Sequence, residues 1–169
     1  MRTFMFCIGV LLMTTSTVSA QQAPAQAQAP TIKTYTSAAE VVELMAKAKS
    51  ERKPDQGIFS QRLLELAPYR VNLEYRAALA PAAVHEKEAE VFYVVEGSAT
   101  MVTGGKLANE TRTNATNLSG TGIENGVSRT VAKGDFIVVP ENTPHWFSSI
   151  HDTLVVMTFH IPRPVAATP

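Results

Sequence analysis

Cysteine is almost missing from this sequence. Cys7 is the only one in 169 residues, so no disulfide can form within the chain and no cysteine-based metal site can be built. An excess of charge is missing too. With 15 basic and 15 acidic residues, nothing in the balance points to a nucleic acid or an anionic membrane surface as a partner. No apolar run is long enough to span a bilayer, the stretch from Phe4 to Met13 included, so no stable membrane anchor is expected. Beyond Gly57 no helix-period segment occurs, which excludes an alternating α/β architecture. Hydrophobic residues still make up 45% of the chain, enough for a real core in what the length reads as one domain.

What is present begins with "MRTFMFCIGVLLMTTSTVSA". A basic Arg2, an apolar stretch and a Val18-Ser19-Ala20 ending predict a signal peptide over residues 1–20, cleaved near Ala20. The expected destination is the periplasm or the medium. There is no twin-arginine pair, so the general export route would carry the chain unfolded, and any metal would be collected outside the cytoplasm. Residues 21–35 begin with "QQAPAQAQAP", a low-complexity run with nothing to bury, and read as a disordered linker. Residues 36–169 read as a single β domain. At its start, Ser37 and Glu40 form a capping box ahead of an apolar stripe of Val41, Val42, Leu44 and Met45. This predicts a short helix over about 38–50, packed on the outside of the fold.

From Gly57 the pattern changes to short β runs separated by turn signals. "IFSQRLLEL" is the first. "YRVNLEYRA" alternates, with Val71, Leu73 and Tyr75 on one face and Arg70, Asn72, Glu74 and Arg76 on the other. "EVFYVVEG" and "ATMVTGG" read as a hairpin about Glu96-Gly97-Ser98, and "VSRTVAKGDFIVVP" and "DTLVVMTFHI" complete the set. Many strands with Gly/Pro turns predict an all-β sandwich or barrel. Residues 106–125, "KLANETRTNATNLSGTGIEN", read as a long polar insertion, functional or disordered, with Asn-x-Ser/Thr sequons at Asn109, Asn114 and Asn117.

Two stretches carry candidate chemistry. In "AVHEKEAEVFYVVEG", Glu90 is followed by six residues and then Gly97; in "GDFIVVPENTPHWF", Gly134 is followed by five residues, Pro140, and His145 five further on. Together they resemble the paired motifs of the cupin superfamily. The first of those motifs runs His-x-His, three or four residues, Glu, six residues, Gly. The second runs Gly, five residues, Pro-x-Gly, two residues, His, three residues, Asn. The resemblance covers roughly Leu73 to Ile161 and implies a jelly-roll β-barrel. Counting back from Glu90, His85 takes the second-histidine position and Ala83 stands where the first histidine is usual. Asn142 replaces a glycine, as the residue that best tolerates a left-handed backbone, and Ser149 replaces the asparagine.

The set that survives is His85, Glu90 and His145, the two-histidine, one-carboxylate composition that leaves open positions on a metal. Strand alternation puts Glu90, Phe92 and Val94 on one face, so the carboxylate would enter an apolar interior, where it needs a cation or a hydrogen-bond partner. The resemblance implies one divalent ion, Zn, Mn, Cu, Ni or Fe, and a small-molecule substrate. The reaction would be of dioxygenase, isomerase or lyase type. Tyr75, or a group from the 106–125 insertion, is the candidate for proton transfer, although a Tyr on an apolar strand face is more often a core residue. His160 is a weaker candidate, for a fourth ligand, because it has apolar neighbours on both faces of its strand and alternation does not fix its direction. His151 reads as an exposed turn residue, and Glu86, Lys87 and Glu88 as a solvated rim. Trp146 and Phe147 read as a pocket wall or a dimer contact. Tyr93 and its outward neighbours are candidates for pairing two copies as a homodimer. The alternative is a non-catalytic small-molecule or sugar-binding cupin, favoured by Ala83.

Overall fold

The structure, a computed structural model, describes residues 32–53 and 55–163. The expected signal peptide, and the expected linker as far as Thr31, lie outside the described residues.

The one helix among the described residues is α1 (Ala38–Glu51). Ser37 caps it, accepting the Glu40 N–H at 3.1 Å, and Lys49 sits in the last turn, where the helix dipole favours a cation. Of the expected stripe, Val41, Leu44 and Met45 lie against Leu63, Leu73 and Val155, whereas Val42 is exposed.

Eleven strands follow: β1 (Ile58–Leu66), β2 (Tyr69–Arg76), β3 (Ala82–His85), β4 (Glu88–Thr103), β5 (Lys106–Ala108), β6 (Thr111–Arg112), β7 (Asn117–Gly120), β8 (Gly122–Glu124), β9 (Val127–Ala132), β10 (Phe136–Val139) and β11 (His145–Pro162). All pairings are antiparallel. The main ladder runs β1-β2-β11-β3-β7-β6, with β4 joined to β9, β10 and β11. The result is an all-β jelly roll that stays open at its edges, where the sequence suggested a barrel.

β4 and β11 dominate the architecture. They pair along nearly their whole lengths, and Gly97 lies opposite Leu154. Here the expected hairpin about Gly97 is corrected. Gly97 has φ +84°, and a Cβ there would sit 1.7 Å from the Thr153 carbonyl oxygen. The glycine bends one continuous strand and admits a crossing backbone; it does not reverse the chain. β11 bends at the same level, with a register shift between His151 and Leu154 and Asp152 at φ +68°.

The bends wrap both strands around a core of Phe92, Val94, Ala99, Met101, Val131, Ile137, Val139, Phe147, Leu154 and Val156. Each large side chain of this kind contributes about 1.5–3 kcal/mol on burial, so this inner face is what sets the register. Phe147 belongs to it, edge-on to Phe92 at 5.4 Å. Trp146 points the other way, into a smaller cluster with Ala82, Val84 and Leu107, and its indole N–H donates to the Ala80 carbonyl at 2.8 Å.

The expected polar insertion at 106–125 is also corrected. It contains β5 to β8, and β7 pairs with β3, setting Asn117 opposite His85.

Candidate metal centre

A straight strand would hold His145 and His160, near the two ends of β11, roughly 50 Å apart. The bends bring both imidazoles to one carboxylate. His145 Nε2 lies 3.1 Å from Glu90 Oε2, and His160 Nε2 lies 3.5 Å from Glu90 Oε1. His85 Nε2 also meets Glu90 Oε2, at 3.2 Å. Register explains the convergence. His160 is the cross-strand partner of Glu90 on β4, while His145 is the partner of Ala83 on β3, two residues from His85 on the same face. Two segments of the ladder thus supply the groups.

His85, Glu90 and His145 each offer one ligand atom within 4.8 Å of the others, a grouping that could hold a metal ion. The outer nitrogens support that fit. His145 Nδ1 lies 3.1 Å from the Thr143 carbonyl oxygen, which can only accept, so Nδ1 carries a proton and Nε2 is the nitrogen turned inward. His85 Nδ1 meets Asn117 Oδ1 at 3.0 Å in the same sense. Two inward imidazole nitrogens and a carboxylate form a donor set for a divalent cation, which would displace any protons on those nitrogens, with outer partners that fix the ring orientation. Asn142 has φ +56°, as expected for a residue standing in for glycine, and its N–H donates to the His85 carbonyl at 2.7 Å.

Glu90 is 4% exposed. Burial pushes its carboxyl up, but hydrogen bonds from His145 and His85 outweigh this and hold it well below the usual carboxylate range. Burial pulls His85 down, but its bonds to Glu90 and Asn117 and the field of Glu90 and Glu88 win, and its value is raised. Burial lowers His160, opposed by the charge of Glu90 and reinforced by Arg70. The His85 side chain is the most open of the four groups at 17% exposure.

Tyr75 does not join them. It packs beside Leu73 and Val155 in the cluster beneath α1; its ring lies 5.7 Å from the Arg52 guanidinium carbon and its hydroxyl meets Thr153 Oγ1 at 3.4 Å. The apolar face of β2 is covered by the helix, and its polar face turns inward. Asn72 donates to Thr158, which is fully buried, and Glu74 and Arg76 pair beside the core, with Arg76 4.9 Å over the Phe147 ring. Sequence alternation separated the two faces of β2 correctly; Tyr75 takes the core position open to it on that face, and the proton-transfer role is not supported by its place.

Glu88 is a further correction. It was read as rim, yet it accepts from His160 Nδ1 at 2.9 Å and from Arg70, with its side chain 14% exposed. Parity with Glu90 on β4 was the signal that could have found it. Glu86 pairs with Arg112 nearer solvent, and Lys87 and His151 are exposed.

Three solved structures resemble this fold. KdgF from Halomonas sp. is 17% identical, with a TM-score of 0.48 over 67% of this chain and 87% of that one. Hydroxypropylphosphonic acid epoxidase from S. wedmorenis is 17% identical, with a TM-score of 0.48 over 62% of this chain and 51% of that one, so the chain spans about half its length. A protein with a double-stranded β-helix domain from Klebsiella pneumoniae is 14% identical, with a TM-score of 0.47 over 66% of this chain and 82% of that one. No curated protein gives a significant match. The family model described as Cupin matches residues 58–167. That match spans most of the chain and both motif stretches, and on this ground the protein belongs to the cupin family.

Proposed function

We propose that this cupin is an exported enzyme that holds one divalent metal ion and acts on a small polar molecule. The observation that carries the reading is the tautomer arrangement. His85 and His145 spend Nδ1 on outward oxygen acceptors and turn Nε2 onto the buried carboxylate of Glu90. Without an ion the inward nitrogens meet the carboxylate by carrying protons, and a divalent cation would take the place of those protons. His85, Glu90 and His145 would hold the ion. When bound, it would polarise a substrate oxygen or bind dioxygen, as suits a dioxygenase, isomerase or lyase. The chain's own part is to fix the three ligands and to keep water scarce at a face lined by Phe92 and Phe147.

Export rests on the N-terminal pattern of residues 1–20. Folding outside the cytoplasm favours zinc, copper or manganese over ferrous iron. Metal analysis of protein purified from its native compartment tests this: about one equivalent is expected in the parent and none in His145→Ala. A parent without metal, or one loaded with iron, would contradict it.

A homodimer is supported by the outward face of the sheet. Tyr93 lies 4.5 Å from Phe136, ring to ring, and Phe136 and Val138 are 70% and 65% exposed. The second reading, a non-catalytic binder of small molecules or sugars, is favoured by Ala83. That residue leaves the position opposite His145 without a ligand.

A further inference from the structure

Ala83 removes one imidazole from the first motif, yet a third imidazole still faces Glu90. His160 is 8% exposed and is the register partner of Glu90. Its ring stands 5.4 Å from that of His85 at 75°. The two oxygens of Glu90 divide the histidines, Oε2 toward His85 and His145 and Oε1 toward His160.

The hydrogen bonds around His160 fix its orientation. Glu88 Oε1 already accepts from the Arg70 guanidinium, which can only donate, so the same oxygen accepts from His160 Nδ1 as well. Nε2 is left facing Glu90 Oε1 at 3.5 Å, the nitrogen placed to share a cation with that carboxylate. It points at the same carboxylate that the inward nitrogens of His85 and His145 face. Resting on the reading of the triad as a metal centre, we infer that His160 is a fourth ligand to the same ion, recruited from the last strand in place of the missing motif histidine, and that Glu88, held by Arg70, is its positioning residue. A carboxylate behind a ligating imidazole fixes its tautomer and raises its basicity.

The test uses the metal-free full chain titrated with Co2+ and read by its visible absorption, with X-ray absorption counting coordinated imidazoles in the unmutated protein. Three imidazoles per ion are expected; two would overturn the inference whether or not any variant folds. His160→Gln should lower Co2+ affinity by about 10–100-fold and change the absorption band, and Glu88→Gln should weaken binding by about 10-fold with the band retained. Equal affinity and an identical band in His160→Gln would count against the assignment. Failure of the underlying reading looks different, since the parent itself would then bind no Co2+. Co2+ bound through two imidazoles and lost in His145→Ala would keep the metal centre and reject His160 alone.

Discussion

The backbone N–H of Asn142 donates to the carbonyl oxygen of His85 across 2.7 Å, tying the turn of the second motif to the ligand strand of the first. The bond depends on Asn142 holding φ +56°, a left-handed conformation that a β-branched residue adopts only at a cost of about 1–3 kcal/mol. Asn142→Gly should therefore melt close to the parent, whereas Asn142→Val should melt several degrees lower and bind metal more weakly. Thermal unfolding monitored by circular dichroism, with and without metal, checks both. Equal melting of the two variants would remove the role given to this turn.

Asn117 lies in a segment that reads as a polar loop, yet its side chain meets the outer nitrogen of His85. Asn117→Ala should leave the fold intact, because β7 is held to β3 by its backbone. It should lower metal affinity by about 10–100-fold, the usual effect of losing a partner behind a ligating imidazole. Competition with a chelating dye measures it, and an unchanged affinity would show that His85 needs no such support.

Tyr75 offers a test of the opposite kind. Its hydroxyl makes one bond, to Thr153, on the face beneath α1. Tyr75→Phe should cost about 0.5–1.5 kcal/mol of stability at most and leave metal affinity unchanged. A large loss of metal binding in a folded Tyr75→Phe protein would reinstate it as part of the site.

Acid should destabilise the metal-free protein through Glu90. Its folded value lies well below the ordinary 4.5, so the folded state binds fewer protons than the unfolded one in acid. The resulting stability is present above about pH 4.5 and is lost as pH falls below it. His85 acts with the opposite sign: its raised value gives stability that is full below the ordinary 6.5 and is lost as pH rises through the folded value. Urea unfolding in chelator between pH 3 and 8 should show a steep acid loss in the parent and a shallower one in Glu90→Gln. Matching acid slopes would contradict the account.

How much of this was legible in the sequence differs from residue to residue. His85, Glu90 and His145 were legible through motif spacing, and Asn142 through its tolerance of a left-handed backbone. The helix was legible because Ser37 and Glu40 signal its start locally. Tyr75 stood between a core and a cavity position because alternation separates the two faces of a strand without saying which one a helix will cover. Gly97 was read as a turn because a strand bend and a hairpin both require a glycine there, and only the partner strand distinguishes them. His160 stayed open because both faces of its strand are apolar, the outer one being partly buried beneath the helix. Asn117 was hidden in a segment whose short strands carry no hydrophobic period.

The central claim is that His85, Glu90 and His145 grip one ion, and unfolding with and without chelator tests it most directly. A ligand at about a thousand times its dissociation constant stabilises by roughly 4 kcal/mol, which for a chain of this size is a shift of roughly 10 °C. The account expects metal-loaded parent to lose about that much on addition of chelator, and His145→Ala to melt at the same temperature with or without it. A parent that carries no metal and melts identically in both conditions would contradict it.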